Sequence, residues 1–170
     1  MLIKIINSKN LLSLIILLLM TITISNSEEL VIEIDNPKFS EKGLNDNTFE
    51  IKAKKGLKSE NNLELFVVEG KFKSDNNGKW IYLKADEGIF SQIKKFIELK
   101  NNIVFYTDEG ETLKSDYATF DMENDVIKLR QGVSHESYEL LILSDNSIIT
   151  ENFNKINYAG NVISIIKNFN

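Results

Sequence analysis

The chain contains no cysteine, and its 170 residues include one proline, one histidine and one arginine. Without thiols there is no disulfide framework, no thiolate metal site, no iron–sulfur cluster and no thiol nucleophile. With His135 as the sole imidazole, a multi-histidine metal centre is excluded as well. Positive charge is also short. Lys and Arg total 20 against 25 Asp and Glu, a net of −5, the wrong sign for a protein that binds by neutralising nucleic-acid phosphates. Nucleophile-elbow, phosphate-loop and dinucleotide-fingerprint patterns are missing. What is present is ordinary globular composition, 42% hydrophobic and 26% charged, which argues against disorder and against a collagen-like chain.

The first 27 residues stand apart. Lys4 and Lys9 precede an apolar run from Leu11 to Ile24, and the small residues Ser25 and Ser27 come just before Glu28 and Glu29. That is the layout of a secretory signal peptide. A bilayer-spanning helix wants about 20 apolar residues, and this run is shorter. Two readings follow for residues 1–27: a cleaved signal, or a hydrophobic helix kept as a membrane anchor with its lysines on the cytoplasmic side. Either places residues 28–170 outside the cytoplasm, as one domain with 18 basic and 25 acidic groups.

Long 3.6-residue periodicity is absent from that domain. Short alternating runs recur instead: Trp80 to Ala85, Phe96 to Lys100, Ile103 to Thr107 and Val126 to Arg130. Turn-forming clusters lie between them at Ser74–Gly78, Lys100–Asn102, Asp108–Gly110, Glu123–Asp125 and Ser144–Ser147. Period-2 patterning with frequent turns predicts an all-β domain. A short helical turn fits Ser91–Lys95, and Pro37 suits a strand end.

An internal repeat organises the runs. Leu83-Lys84-Ala85-Asp86, Leu113-Lys114-Ser115-Asp116 and Ile142-Leu143-Ser144-Asp145 align at spacings of 30 and 29 residues. Five residues past each small residue stand Phe90, Phe120 and Ile149. Further on come Ile97 and Leu99, then Ile127 and Leu129, then Ile156 and Tyr158. A turn former closes each unit: Asn102, Gly132, Asn161. A weaker copy begins 32 residues earlier at Ile51-Lys52-Ala53. Four units of about 30 residues, two strands each, predict a stacked β architecture. Alternation places the large and small residues of each Leu-x-small step on one side. The expectation is two sheets with an apolar seam. The small residue leaves room for the opposite wall or a ligand, and the Asp closes a turn through its own backbone.

Several tempting motifs carry no chemistry. Ser134-His135-Glu136-Ser137 resembles triad components, but strand neighbours face opposite sides, so a polar strand edge is the better reading. Asp121 to Asp125 opens like a calcium loop but has Val126 where glycine is needed and Gly132 where the bidentate Glu belongs, so it reads as a hairpin turn. Asp86 with Glu87 and Asp108 with Glu109 read as scattered turn acids. Lys52, Lys54, Lys55 and Lys58 read as a solvated basic face. No residue is assigned as catalytic, metal-binding or cofactor-binding.

The steps Ala85-Asp86, Ser115-Asp116 and Ser144-Asp145, with Asn101-Asn102-Ile103 and Gly160-Asn161-Val162, resemble the OstA-like β-jellyroll proteins of lipopolysaccharide export. Asn36-Pro37-Lys38-Phe39, Phe49-Glu50-Ile51-Lys52-Ala53 and Gly78-Lys79-Trp80-Ile81-x-Leu83-x-Ala85-Asp86-x-Gly88 are similar to the LptC branch, with the LptA branch a close alternative. LptC proteins usually keep an N-terminal anchor, whereas this segment looks short and cleavable. The resemblance implies a twisted, open β-jellyroll or sandwich, not an enzyme, in the periplasm or tethered to the inner membrane. It would take lipopolysaccharide from an inner-membrane ABC transporter complex and pass it to a periplasmic bridge of jellyrolls by strand-edge pairing. The residues it would turn toward lipid are Leu83, Ala85, Phe90, Ile97, Leu99, Leu113, Ser115, Phe120, Ile127, Leu129 and Ile142. The competing expectation is a periplasmic β-sandwich with a filled core that binds proteins or carbohydrate. The inward residues are common to both.

Overall fold

The computed structural model describes residues 30–42, 48–73, 78–91, 93–151 and 153–167. Residues 1–27, and with them the expected signal or anchor helix, lie outside that set. Among the described residues every regular element is a strand: β1 (Ile32–Asp35), β2 (Lys38–Lys42), β3 (Thr48–Lys58), β4 (Asn62–Lys73), β5 (Trp80–Ser91), β6 (Phe96–Thr107), β7 (Thr112–Asp121), β8 (Val126–Glu136), β9 (Leu140–Thr150), β10 (Lys155–Ala159) and β11 (Ile163–Ile166). The segment at 93–95, expected as a helical turn, is a hydrogen-bonded turn between β5 and β6. Ten to twelve residues in each central strand are enough for the interior side chains to alternate several times on one ladder.

The two separate sheets expected from alternation are replaced by one. Eleven strands join a single antiparallel, unclosed sheet that runs β1-β3-β4-β5-β6-β7-β8-β9-β10, with β2 also on β3 and β11 also on β9. Asn36 and Pro37 kink the chain so that β1 and β2 share β3 as partner. Asn36 donates its amide to the Lys54 carbonyl, and the Ala53 amide donates to that of Pro37. The sheet folds its apolar face over itself. Phe39 of β2 meets Phe90 of β5 at 5.5 Å between ring centroids, and Phe49 of β3 meets Phe120 of β7 at 6.1 Å. Neither pair of strands shares a ladder, so these contacts bridge opposing walls. Leu65, Ile103, Leu129 and Ile149 are fully buried between them. Each contributes about 1.5–3 kcal/mol by leaving water.

Cross-strand register sets the interior. One row reads Ile51, Gly70, Leu83, Phe105, Leu113, His135, Ile142 across β3 to β9. Another reads Leu63, Phe90, Ile97, Phe120, Ile127, Ile149, Ile156 across β4 to β10. Between these rows the strands bulge. Register shifts fall at Lys84/Glu87, Lys100/Ile103, Lys114/Tyr117 and Arg130/Val133. Two consecutive left-handed residues form each bulge: Asn101 and Asn102 in β6, then Gln131 and Gly132 in β8. Asn, Gln and Gly at these sites fit a backbone with positive φ better than branched residues do.

This column of bulges overturns two expectations. Lys100–Asn102 and Ser144–Ser147 were expected as turns between strands, yet they lie inside β6 and β9. The runs at Phe96 and Ile103 are therefore one strand. The Asp of each step does not close a turn. Asp86 Oδ2 accepts the Asn102 side-chain amide at 2.6 Å, and Asp145 Oδ2 accepts that of Asn161 at 2.9 Å. The small residues Ser115 and Ser144 are buried at the bulges. Ser115 Oγ donates to the Arg130 carbonyl at 2.7 Å, and Ser144 Oγ to that of Asn146 at 3.0 Å, so both hydroxyls serve carbonyls at the bulges.

Candidate functional site

The apolar interior has an open cleft at one end, a narrow middle and a ring-filled far end. At one end a cleft of about 470 Å³ lies between β2–β3 and the β5–β6 turn. Phe39, Phe49, Ile51, Leu65, Phe90, Ile97 and Met122 form its walls, and Lys38, Ser40 and Lys95 reach its edge. In the middle the free space falls to about 20 Å³ among Phe49, Phe72, Leu83, Leu99, Phe120 and their neighbours. That is room for about one water.

The far end is closed by an aromatic stopper. Phe153, from the β9–β10 connection, places its ring 4.7 Å from Phe72 and 5.3 Å from Phe105. Its backbone is left-handed, φ 68°, unusual for a bulky residue and sustained only where the surroundings hold it. Outside it is a pocket of about 100 Å³ edged by Lys79, Glu111, His135 and Ile156.

His135 belongs to this end, and the polar strand-edge reading is corrected. β8 is an interior strand between β7 and β9, and the imidazole points inward with only 13% of its side chain exposed. Its Nδ1 faces the Tyr158 hydroxyl and its Nε2 lies 2.7 Å from Glu111 Oε1. Burial, and then the Glu111 charge, push the Tyr158 phenol up to about 12. Tyr158 therefore keeps its proton and donates to Nδ1, which leaves Nε2–H to donate to Glu111. That hydrogen bond holds the Glu111 carboxyl below its usual range against the opposing effect of burial, and the Lys79 charge adds to it. The chain of three ties β10 to β8 and to the residue before β7.

The residues expected to face lipid divide into three groups. Leu83, Leu99, Phe120 and Ile127 meet in the narrow middle, joined there by Ile97, which also lines the open cleft with Phe90. Leu113 reaches the closed end. Ala85, Ser115 and Leu129 are buried but line none of these spaces, and Ile142 is only half-buried at the β9–β11 ladder. Phe39, Phe72, Met122 and Phe153 were not anticipated. Phe72 shares a face with Gly70, a two-step signal that could have been read, whereas Met122 and Phe153 sit in turns where no period speaks.

The outer face is polar and ion-paired. Lys52 lies 2.9 Å from Glu69, and Lys55 lies 2.9 Å from Glu33, consistent with a solvated basic face. Asp121 accepts the Glu123 and Asn124 amides at 3.1 Å and shapes the β7–β8 hairpin turn. Among the described residues no further strand pairs with either edge of the sheet. β11 is exposed along its whole length, including Ile163, Ile165 and Ile166.

No protein-family model matches the chain, and no curated protein is similar enough to be counted a relative.

Proposed function

We propose that this chain is a periplasmic lipid-binding component of lipopolysaccharide export, an open β-jellyroll of four two-strand units. In this reading it receives the lipid from an inner-membrane ABC transporter complex and hands it to a neighbouring jellyroll. The observation that carries the reading is an unclosed sheet whose apolar face is folded inward while both edge strands stay open. An unpaired edge is a liability in an isolated protein and an asset in one that adds strands from a partner. The acyl chains would lie against Phe90, Ile97, Leu99, Phe120 and Ile127. The phosphate-loop pattern is missing from the sequence, so the driving energy comes from the transporter in this scheme.

The narrow middle favours a second reading, a β-sandwich with a filled core that uses its edges to bind protein. The two readings differ over whether lipid ever touches the inner face. A photo-crosslinking amino acid at Ile97 and at Phe120, in cells labelled with radioactive lipopolysaccharide, separates them. The conduit predicts labelled adducts at both positions and none at Val67 or Ile148 on the outer face. Adducts at neither inward position would leave only the filled sandwich.

A further inference from the structure

We propose that the open cleft is a binding site for a single acyl chain with an anionic head, held chain-inward with the head at Lys38 and Lys95. The inference rests on reading the inner face as lipid-facing, and it names what the mouth takes. Its volume, about 470 Å³, falls inside the roughly 300–1,000 Å³ typical of small-molecule pockets. The walls are aromatic and aliphatic. The floor narrows to about 20 Å³ where Phe49 meets Phe120, so a chain enters from one side and stops.

The head follows from the rim. Lys38 and Lys95 are the charged residues that line the cleft, on β2 and on the β5–β6 turn. Lys38 lies 3.1 Å from Glu50, a carboxylate 22% exposed that Lys71 also approaches at 3.9 Å, while its own side chain is 59% exposed. Lys95 stands 3.9 Å from Glu123, the outer limit of an ion pair, with both side chains more than half exposed. An exposed pair of the second kind contributes little, so an incoming anion competes well for Lys95, and the exposed Lys38 ammonium stands on the same rim.

The test is titration calorimetry on the full-length protein with three probes below their micelle concentrations: dodecyl phosphate, dodecyltrimethylammonium and glycerol phosphate. The expected result is saturable one-to-one binding of dodecyl phosphate, at least tenfold weaker binding of the cation, and none of the headgroup alone. Lys38→Glu with Lys95→Glu should weaken dodecyl phosphate at least tenfold. Ser40→Trp on the rim and Met122→Trp on the wall should block it, and Asn154→Trp at the closed end should not. Two blocking positions keep the test sound if one variant misfolds. Equal affinity for the anion and the cation, or binding indifferent to both tryptophans, overturns the proposal. Competition with purified lipopolysaccharide then separates the sources of the chain. Displacement assigns the mouth to that lipid; its absence assigns it to a free alkyl anion, and the site stands while the conduit reading loses support. Crosslinking at Ile97 without dodecyl phosphate binding defeats the mouth site alone.

Discussion

The two ends of the interior are built from the same material and finished differently. At the open end, Phe39 and Phe90 stand 5.5 Å apart beside a cleft of about 470 Å³, with lysines at the edge. At the closed end, Phe153 fills the space between Phe72 and Phe105, and a Glu111–His135–Tyr158 chain ties three segments together. Aromatic content therefore does not decide whether such a sheet holds a pocket. The decision lies with a turn residue that fills its end, as Phe153 does, or only walls it, as Met122 does, and with polar groups joined in a half-buried chain or held in pairs at the rim. The difference teaches where stability and where binding should be sought: stability at the closed end, ligand at the open one.

The sharpest way to break this contrast is to remove one ring from each end. Phe105 is 3% exposed and touches both Phe72 and Phe153. Phe105→Ala should cost about 3–5 kcal/mol in urea unfolding, the range for a buried aromatic. Phe90 borders open space and is half-buried, so Phe90→Ala should cost about half as much or less. Equal losses would mean that the open cleft is packed as tightly as the stopper in solution.

The next effect is polar. Tyr158→Phe removes the donor to His135 Nδ1 and leaves a largely buried nitrogen without its partner, at a cost of about 1–2 kcal/mol. It should also change the alkaline limb of the stability curve. Below pH 10 the phenol is protonated in both folded and unfolded chains, and its contribution is whole. Between its usual value of 10.0 and about 12 the unfolded chain loses the proton first, so stability falls as pH rises. The variant lacks that slope. Glu111 acts in the opposite direction. Its carboxyl is lowered in the fold, so its contribution is present above the unfolded value and is lost as pH falls through the folded one. Glu111→Gln should flatten the acid limb. Urea melts at closely spaced pH values check both.

Between the ends, the bulge column explains what was legible and what was not. The all-β class, most strand centres and the inward direction of Leu83, Leu113, Phe90 and Phe120 follow from local alternation, which physics ties to a pleated strand. The bulges are a different matter. Ala85 and Gly88 are both buried although three residues apart, because the backbone reverses its faces at Asp86 and Glu87. A period of two cannot express that reversal. The repeat spacing carried the signal, since Asn102, Gly132 and Asn161 recur at the same step, but a mid-strand bulge and a turn want the same residues. Neither the single folded sheet nor the inward His135 was legible. Both depend on contacts between strands far apart in sequence, such as Phe49 with Phe120 and His135 with Tyr158.

The first unit offers a smaller prediction of opposite sign. In β4 the matching place holds one left-handed residue, Val67, with φ 56° and a 56% exposed side chain, and the ladders on both sides keep their register. A β-branched residue is strained there and gains little by packing. Val67→Gly should stabilise the protein by about 1 kcal/mol, part of the strain being offset by the greater freedom of glycine in the unfolded chain. Asn102→Ala, by contrast, removes a left-handed residue that already suits its place along with its bond to Asp86, and should destabilise. A loss of stability in Val67→Gly would show that the exposed valine is held by more than its backbone.

The smallest effect belongs to the lysines of the open end, and it is the most discriminating. Lys38→Gln and Lys95→Gln each remove an ammonium from an exposed pair, one at 3.1 Å and one at 3.9 Å. Such pairs gain little Coulomb energy in a high dielectric and lose side-chain freedom in forming, so each substitution should shift unfolding by less than about 0.5 kcal/mol. Glu50 retains Lys71 at 3.9 Å, which limits the effect at Lys38 further. Both variants should therefore match the parent in urea melts at low and at moderate salt. Against that silence, any loss of affinity for dodecyl phosphate reports the binding site directly, because no global change of fold accompanies it. A shift in stability as large as that of Tyr158→Phe would place the lysines among the ties of the structure. The two ends would then differ in shape but not in what their polar groups do.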